Sequence, residues 1–136
     1  MRILGIKLIP LILASVLIYI VGALIYGVLF SAQWMALSGY TPQMLAGEQW
    51  RMALSPIMPV MITVGMGLLI KDRGITTLMA GLQLGVMVGL LFLVAARMYN
   101  YAYGNEHLGL LLMDSAHLMA NAMIAGAVLG AMKAAE

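Results

Sequence analysis

The sequence contains no cysteine and few charged residues. Of its 136 residues, 9% are Asp, Glu, Lys or Arg, whereas 64% are hydrophobic. Without cysteine there can be no disulfide bond, no thiolate chemistry and no cysteine-based metal site. Ordinary soluble domains are about one quarter charged, so this chain cannot cover its surface with groups that favour water. The composition therefore indicates a membrane protein.

Two further absences limit the function. The seven Lys and Arg side chains form no stripe or patch, so the net charge of +2 does not indicate a nucleic-acid partner. The sequence also lacks HExxH, GxSxG and a Gly-rich phosphate loop, which are typical of metalloproteases, serine hydrolases and nucleotide-binding enzymes. We therefore expect no enzyme activity, no cofactor and no bound metal.

Four segments are long and apolar enough to cross a lipid bilayer, which takes about 20 residues. They cover approximately residues 8–30, 52–70, 76–96 and 107–132. We expect an all-α fold in which residues 1–136 form a single domain. This domain would be an integral membrane bundle of four transmembrane helices, with a short interfacial helix between the first two.

The interfacial helix is expected in the longest connection. Thr41 is a good N-cap residue, and Pro42 follows it at the first helical position, where a proline costs no hydrogen bond. Trp34 and Trp50 flank this segment, and tryptophan favours the headgroup region of a membrane. We interpret both as interfacial anchors.

The distribution of basic residues predicts the orientation. With four spans, both termini and the second connection lie on one side, and that side holds five basic residues: Arg2, Lys7, Lys71, Arg73 and Lys133. The other side holds Arg51 and Arg97. Because Lys and Arg are enriched in cytoplasmic segments, both termini are expected in the cytoplasm.

Small residues mark where helices can approach closely. Gly81, Gly85 and Gly89 follow one another at four-residue spacing in the third segment, and Gly126 and Gly130 do so in the fourth. This spacing is typical of helix contacts in membranes. The contacts could form within one chain or between copies, and we expect a homo-oligomer.

The fourth segment carries a polar stripe in apolar surroundings. Asp114, His117 and Asn121 are three and four residues apart, so they share one side of a helix with His107. Asp114 lies about 10 Å along the helix from His107. An ionised Asp at membrane depth costs about 2.5 to 3.5 kcal/mol on insertion scales, so the stripe is expected to face the bundle interior or water.

Other segments offer polar partners at matching depth. Tyr26 is about level with Asp114, Tyr19 with His117, and Gln83 with Asn121. These side chains could form one polar network in the core. The network either carries out a function or only holds the helices together, because buried polar groups find partners in both cases.

Two stretches resemble a known family. The stretch GALIYGVLFSAQWMALSGYT resembles the opening signature of a family of small bacterial membrane proteins, domain of unknown function 1761. The matching positions are Gly22, Tyr26, Gly27, Phe30, Trp34, Met35 and Gly39. In the last segment, MDSAHLMANAMIAGAVLG matches through Asp114, His117 and Gly126. The resemblance implies a four-helix integral protein of a bacterial cytoplasmic membrane, and it supplies no activity.

Two functional hypotheses follow. In the first, the chain is a small oligomeric transporter or channel-like carrier, and Asp114 and His117 exchange protons or hold a small polar or cationic solute. In the second, it is a structural or accessory membrane protein whose polar core specifies helix packing and oligomer assembly. The lipid bilayer is a partner in both.

Overall fold

The computed structural model describes all 136 residues, and almost all of its regular structure is helical. The α-helices are α1 (Leu8–Leu24), α2 (Ser31–Ser38), α3 (Pro42–Ala46), α4 (Ile57–Asp72), α5 (Leu78–Val88), α6 (Ala95–Tyr103) and α7 (Leu108–Ala131). Short π-helical segments continue α1 (Ile25–Leu29) and join α5 to α6 (Gly89–Val94), and a 3-10 helix (Gln49–Leu54) precedes α4. Two strands, Arg2–Ile3 and Ile6–Lys7, form an antiparallel hairpin before α1. The expected all-α fold class is confirmed.

Four continuous helical runs are long and apolar enough to cross a membrane. They are the first span (Leu8–Leu29), the second span (Gln49–Asp72), the third span (Leu78–Tyr103) and the fourth span (Leu108–Ala131). Four such helices suggest a multi-pass membrane protein. The termini and the turn between α4 and α5 lie at one end of the bundle, called here the terminal end, and the longer connections lie at the opposite end.

The third span is longer than the sequence indicated. It continues past Ala96, its expected end, to Tyr103. The residues from Arg97 onwards are mostly polar or aromatic, a composition that by itself favours an interfacial link over a span. They remain helical because their backbone hydrogen bonds continue as far as Gly104, whose N–H donates to the carbonyl of Asn100.

The first connection contains the short helix that its sequence indicated. Thr41 is the N-cap of α3 and its Oγ1 accepts a hydrogen bond from the N–H of Met44 at 3.3 Å, with Pro42 at the first helical position. Trp34 lies in the preceding α2 and stacks on Tyr40. Trp50 is exposed, and the guanidinium of Arg51 lies 5.5 Å from its ring centroid.

The third and fourth spans make the most extensive helix contact of the bundle, and glycines make it possible. Gly81 lies against the backbone of Gly126, and Gly85 against that of Ala122. A Cβ atom on Gly85 would lie 2.7 Å from the Cα of Met123, a distance that real Cβ atoms do not reach. The backbones therefore touch directly.

The core is concentrated toward the terminal end. Leu11, Met66, Ile70 and Leu129 are buried there, and the N-terminal hairpin adds the fully buried Ile6. Hydrogen bonds fasten the hairpin to the ends of two spans. The N–H of Lys7 donates to the carbonyl of Ala134 at 2.9 Å, and Nζ of Lys71 donates to the carbonyl of Leu4 at 3.0 Å.

The close contact between the third and fourth spans predicts a large difference between two glycines. Gly85→Ala is expected to destabilise the protein by about 1–3 kcal/mol, because its methyl group would meet backbone that cannot move without separating the helices. Gly65→Ala is the control, because no atom lies within 4 Å of its Cβ position. Thermal unfolding in detergent measures both. Equal melting temperatures for the two variants would contradict this account of the contact.

Candidate functional site

Asp114 is bonded through both of its carboxylate oxygens. The hydroxyl of Tyr26, on the first span, donates to Oδ1 at 2.6 Å. Arg97, on the third span, donates to Oδ2 from Nε at 2.8 Å and pairs with it through Nη2 at 2.7 Å. A single carboxylate therefore connects three of the four spans.

Arg97 also reaches a second carboxylate. Its Nη1 lies 2.5 Å from Oε2 of Glu106, in the link between the third and fourth spans. The side chain of Arg97 is 12% exposed and that of Asp114 is 21% exposed, so the charges are largely removed from solvent. We call Tyr26, Arg97, Glu106 and Asp114 the ion cluster. With both carboxylates ionised, it carries one positive and two negative charges.

His117 lies one turn deeper than Asp114 and packs against the first span. Its ring is nearly perpendicular to that of Tyr26, with centroids 5.1 Å apart and planes at 87°. Gly22 makes room for it, because a Cβ atom there would lie 3.0 Å from Nε2 of His117. This Nε2 is buried and has no hydrogen-bond partner in the chain.

Two more buried polar atoms lack partners at greater depth. Asn121 is 3% exposed and its Oδ1 accepts no hydrogen bond, and Thr63 is fully buried with an unpaired Oγ1. Thr63 lies nine residues before the end of α4, and Asn121 lies ten residues before the end of α7. Because both helices end at the terminal end of the bundle, the two side chains lie at similar depth.

Tyr19 and Gln83 do not join this polar region, contrary to the expectation from depth alone. Tyr19 is 47% exposed, because Ile18 beside it faces the core and consecutive side chains on a helix point about 100° apart. Gln83 is exposed as well. It lies two residues from both Gly81 and Gly85, which contact the fourth span, and so points to the opposite side of α5.

Reasoning from the sequence missed Arg97 and Glu106. In the sequence, Arg97 serves only as an orientation signal, and no motif singles out Glu106. A signal was present nonetheless, because Arg97 lies six residues before the end of the third span and Asp114 lies six residues after the start of the fourth. Two antiparallel helices joined by a short link bring such positions to one level, so a matched pair of opposite charges predicts a contact.

The structure brings no three His, Asp or Glu side chains together into a group that could hold a metal ion. The remaining residue of the polar stripe, His107, has a local role. Its Nδ1 accepts a hydrogen bond from the N–H of Gly109 at 3.0 Å and so caps the start of α7.

The ion cluster predicts unequal costs for the two arginines on its side of the bundle. Arg97→Gln is expected to destabilise the protein by about 3 kcal/mol, because it leaves two largely buried carboxylates without their cation. Arg51→Gln is the control, since the exposed pair of Arg51 with Glu48 is expected to contribute less than about 1 kcal/mol. Thermal unfolding in detergent compares them, and a similar small loss in both variants would contradict this account.

Comparison with known proteins identifies the family of the chain. Residues 9–130 match the family described as protein of unknown function (DUF1761). No curated protein and no solved structure matches the chain. The match covers almost all of the sequence, including all four residues of the ion cluster. The chain therefore belongs to the DUF1761 family of proteins of unknown function.

Proposed function

We propose that this chain is a small homo-oligomeric membrane carrier that moves protons, alone or together with a small polar or cationic solute. One observation carries the proposal: Nε2 of His117, Oδ1 of Asn121 and Oγ1 of Thr63 are buried and have no hydrogen-bond partner in the chain. An unpaired buried polar group costs about 1–3 kcal/mol. Groups that served only to hold helices together would be expected to pair with one another.

The unpaired atoms continue inward from the ion cluster. Asp114, His117 and Asn121 occupy successive turns of α7, and Asn121 lies about 20 Å along the helix from Leu108. Thr63 lies at similar depth on α4. These positions supply hydrogen-bonding groups from the opposite end of the bundle to near the middle of a bilayer about 30 Å thick, and a proton or polar solute needs such groups to cross.

The ion cluster supports a positively charged or proton-linked cargo. Arg97 neutralises one of the two carboxylates, which leaves one negative charge when Asp114 and Glu106 are both ionised. A proton or a small cation arriving at the cluster would balance that charge. Ionisable side chains within membrane spans commonly belong to such pathways.

The proposed location is a bacterial cytoplasmic membrane, with both termini in the cytoplasm. Both basic residues at the opposite end of the bundle are paired with carboxylates, Arg97 with Glu106 and Asp114, and Arg51 with Glu48. The other five basic residues lie at the terminal end, which supports the orientation expected from the enrichment of Lys and Arg in cytoplasmic segments.

Access from water distinguishes a carrier from a purely structural core. Because the chain has no cysteine, single cysteines report on single positions. In liposomes, Asn121→Cys is expected to react with a small, charged, water-soluble thiol reagent, because a carrier must open this position to water during its cycle. The measurement is the rate of labelling, followed by mass.

Two controls bracket this experiment. Tyr103→Cys, at the exposed end of the third span, sets the rate of a position in contact with water, and Ile18→Cys, in the buried apolar core, sets the background. If Asn121→Cys reacts no faster than Ile18→Cys while Tyr103→Cys reacts readily, the carrier proposal fails.

Proton flux tests the role of Asp114. In liposomes with a trapped pH indicator, Asp114→Asn is expected to lower the proton flux to that of protein-free liposomes, because the amide cannot take up and release a proton. Ser115→Ala, which removes the neighbouring hydroxyl on the same helix, is expected to retain wild-type flux. Melting temperatures of both variants show whether they remain folded. A folded Asp114→Asn protein with wild-type flux would exclude this role.

A second candidate function rests on the bonding of the ion cluster. Asp114 uses both oxygens and Arg97 contacts two carboxylates, so the cluster ties the first, third and fourth spans together. A structural or accessory membrane protein would need nothing more. This alternative predicts an unreactive Asn121→Cys, and it predicts that Asp114→Asn alters only stability or oligomeric state.

A further inference from the structure

Gln83 is an amide on the outward side of a membrane span. It is exposed, and it points away from the fourth span. It lies five residues after the start of α5, or about 7.5 Å along the helix. The other exposed amides of the spans, Asn100 and Gln49, lie within one turn of a span end, where water and headgroups reach them.

Lipid chains offer no hydrogen bond to this amide. Its –NH2 is a donor and its carbonyl oxygen is an acceptor, and both need partners. In membranes, Gln side chains find them across helix contacts. Two glutamine amides that face each other satisfy each other completely, because each supplies what the other lacks. The simplest partner for Gln83 is therefore the same residue of a second copy.

An apolar groove lies between α5 and α7 on the outer surface. It has a volume of about 410 Å³ and is lined by Leu82 of α5 and by α7 residues that include Ala116, Ala120 and Ala127. The alanines leave space between the larger lining side chains Met119, Met123 and Ile124, so another helix can pack against the groove. No polar side chain lines the groove.

We propose that a second copy of this chain packs on this surface, with the two Gln83 side chains paired across a two-fold axis. Gln83 follows Leu82, which lines the groove, so the amide and the groove lie about 100° apart around α5. Two neighbouring helices of a second copy can cover them together. A two-fold contact uses the same surface on both copies, which a self-complementary amide fits. This homodimer would be the oligomeric form of the proposed homo-oligomeric carrier, and the inference rests on that proposal.

Cysteine crosslinking tests this contact without measuring transport, so failure of the dimer is distinguishable from failure of the carrier. In liposomes, Gln83→Cys is expected to form a disulfide-linked dimer upon oxidation, because the two positions adjoin across the axis. Leu68→Cys is the matched control. It is exposed on α4, four residues before the helix ends, and so lies at similar depth on a different surface. The fraction of dimer is read from a non-reducing gel.

A second pair of variants tests the amide itself. Gln83→Leu is expected to weaken dimerisation about threefold or more in detergent, because an interhelical polar contact is lost. Gln83→Asn, which keeps an amide, is expected to retain more dimer than Gln83→Leu. Both variants should melt like the wild-type monomer, because Gln83 makes no contact in the core.

Two results would overturn the proposal. The first is crosslinking of Gln83→Cys no stronger than that of Leu68→Cys, which would mean a monomer, a contact on another face or a different partner protein. The second is wild-type dimerisation by Gln83→Leu, which would mean that the amide does not hold the contact.

Discussion

The ion cluster depends on the direct backbone contact between the third and fourth spans. Gly81 faces Gly126 and Gly85 faces Ala122, which fixes the level of one helix against the other. The same register continues toward the end of the bundle opposite the termini, where Arg97 and Asp114 lie. Side chains lean toward the N-terminus of their helix, so on these antiparallel helices Arg97 and Asp114 lean toward each other. A bulkier residue at the contact would push the two helices apart and thereby also separate Arg97 from Asp114.

The polar groups of the ion cluster have partners, whereas the polar atoms one turn or more below it have none. Arg97 balances much of the carboxylate charge, and Tyr26 satisfies the remaining oxygen of Asp114. One turn further in, His117 has no partner for Nε2, and Asn121 and Thr63 are likewise unpaired. Polar groups are thus well paired near the end of the bundle opposite the termini. At mid-depth, where an unpaired polar group is most costly, several lack hydrogen-bond partners. This difference is the basis of the proposed role in moving protons or solutes.

Particular residues explain how far the sequence could be interpreted. Hydropathy located four spans, because about 20 consecutive apolar residues are rare outside membranes. The chemistry of Thr41 and Pro42 located a short helix, because capping depends on neighbours in the chain. Depth matching predicted that Tyr26 would be level with Asp114, and their hydrogen bond is observed. It failed for Tyr19 and Gln83, because depth says nothing about the direction in which a side chain points around its helix.

By itself, the sequence determined the all-α class, the four membrane-capable helices and the polar stripe on the last of them, because these depend on composition and on periodicity along one chain. Only the tertiary structure decided that Arg97 and Glu106 join Asp114, that Tyr19 and Gln83 point outward, and that His117 fits against Gly22. The physical reason is the same in each case. The rotation of a helix is set by the small residues at which it touches its neighbours, and those contacts join residues far apart in the chain.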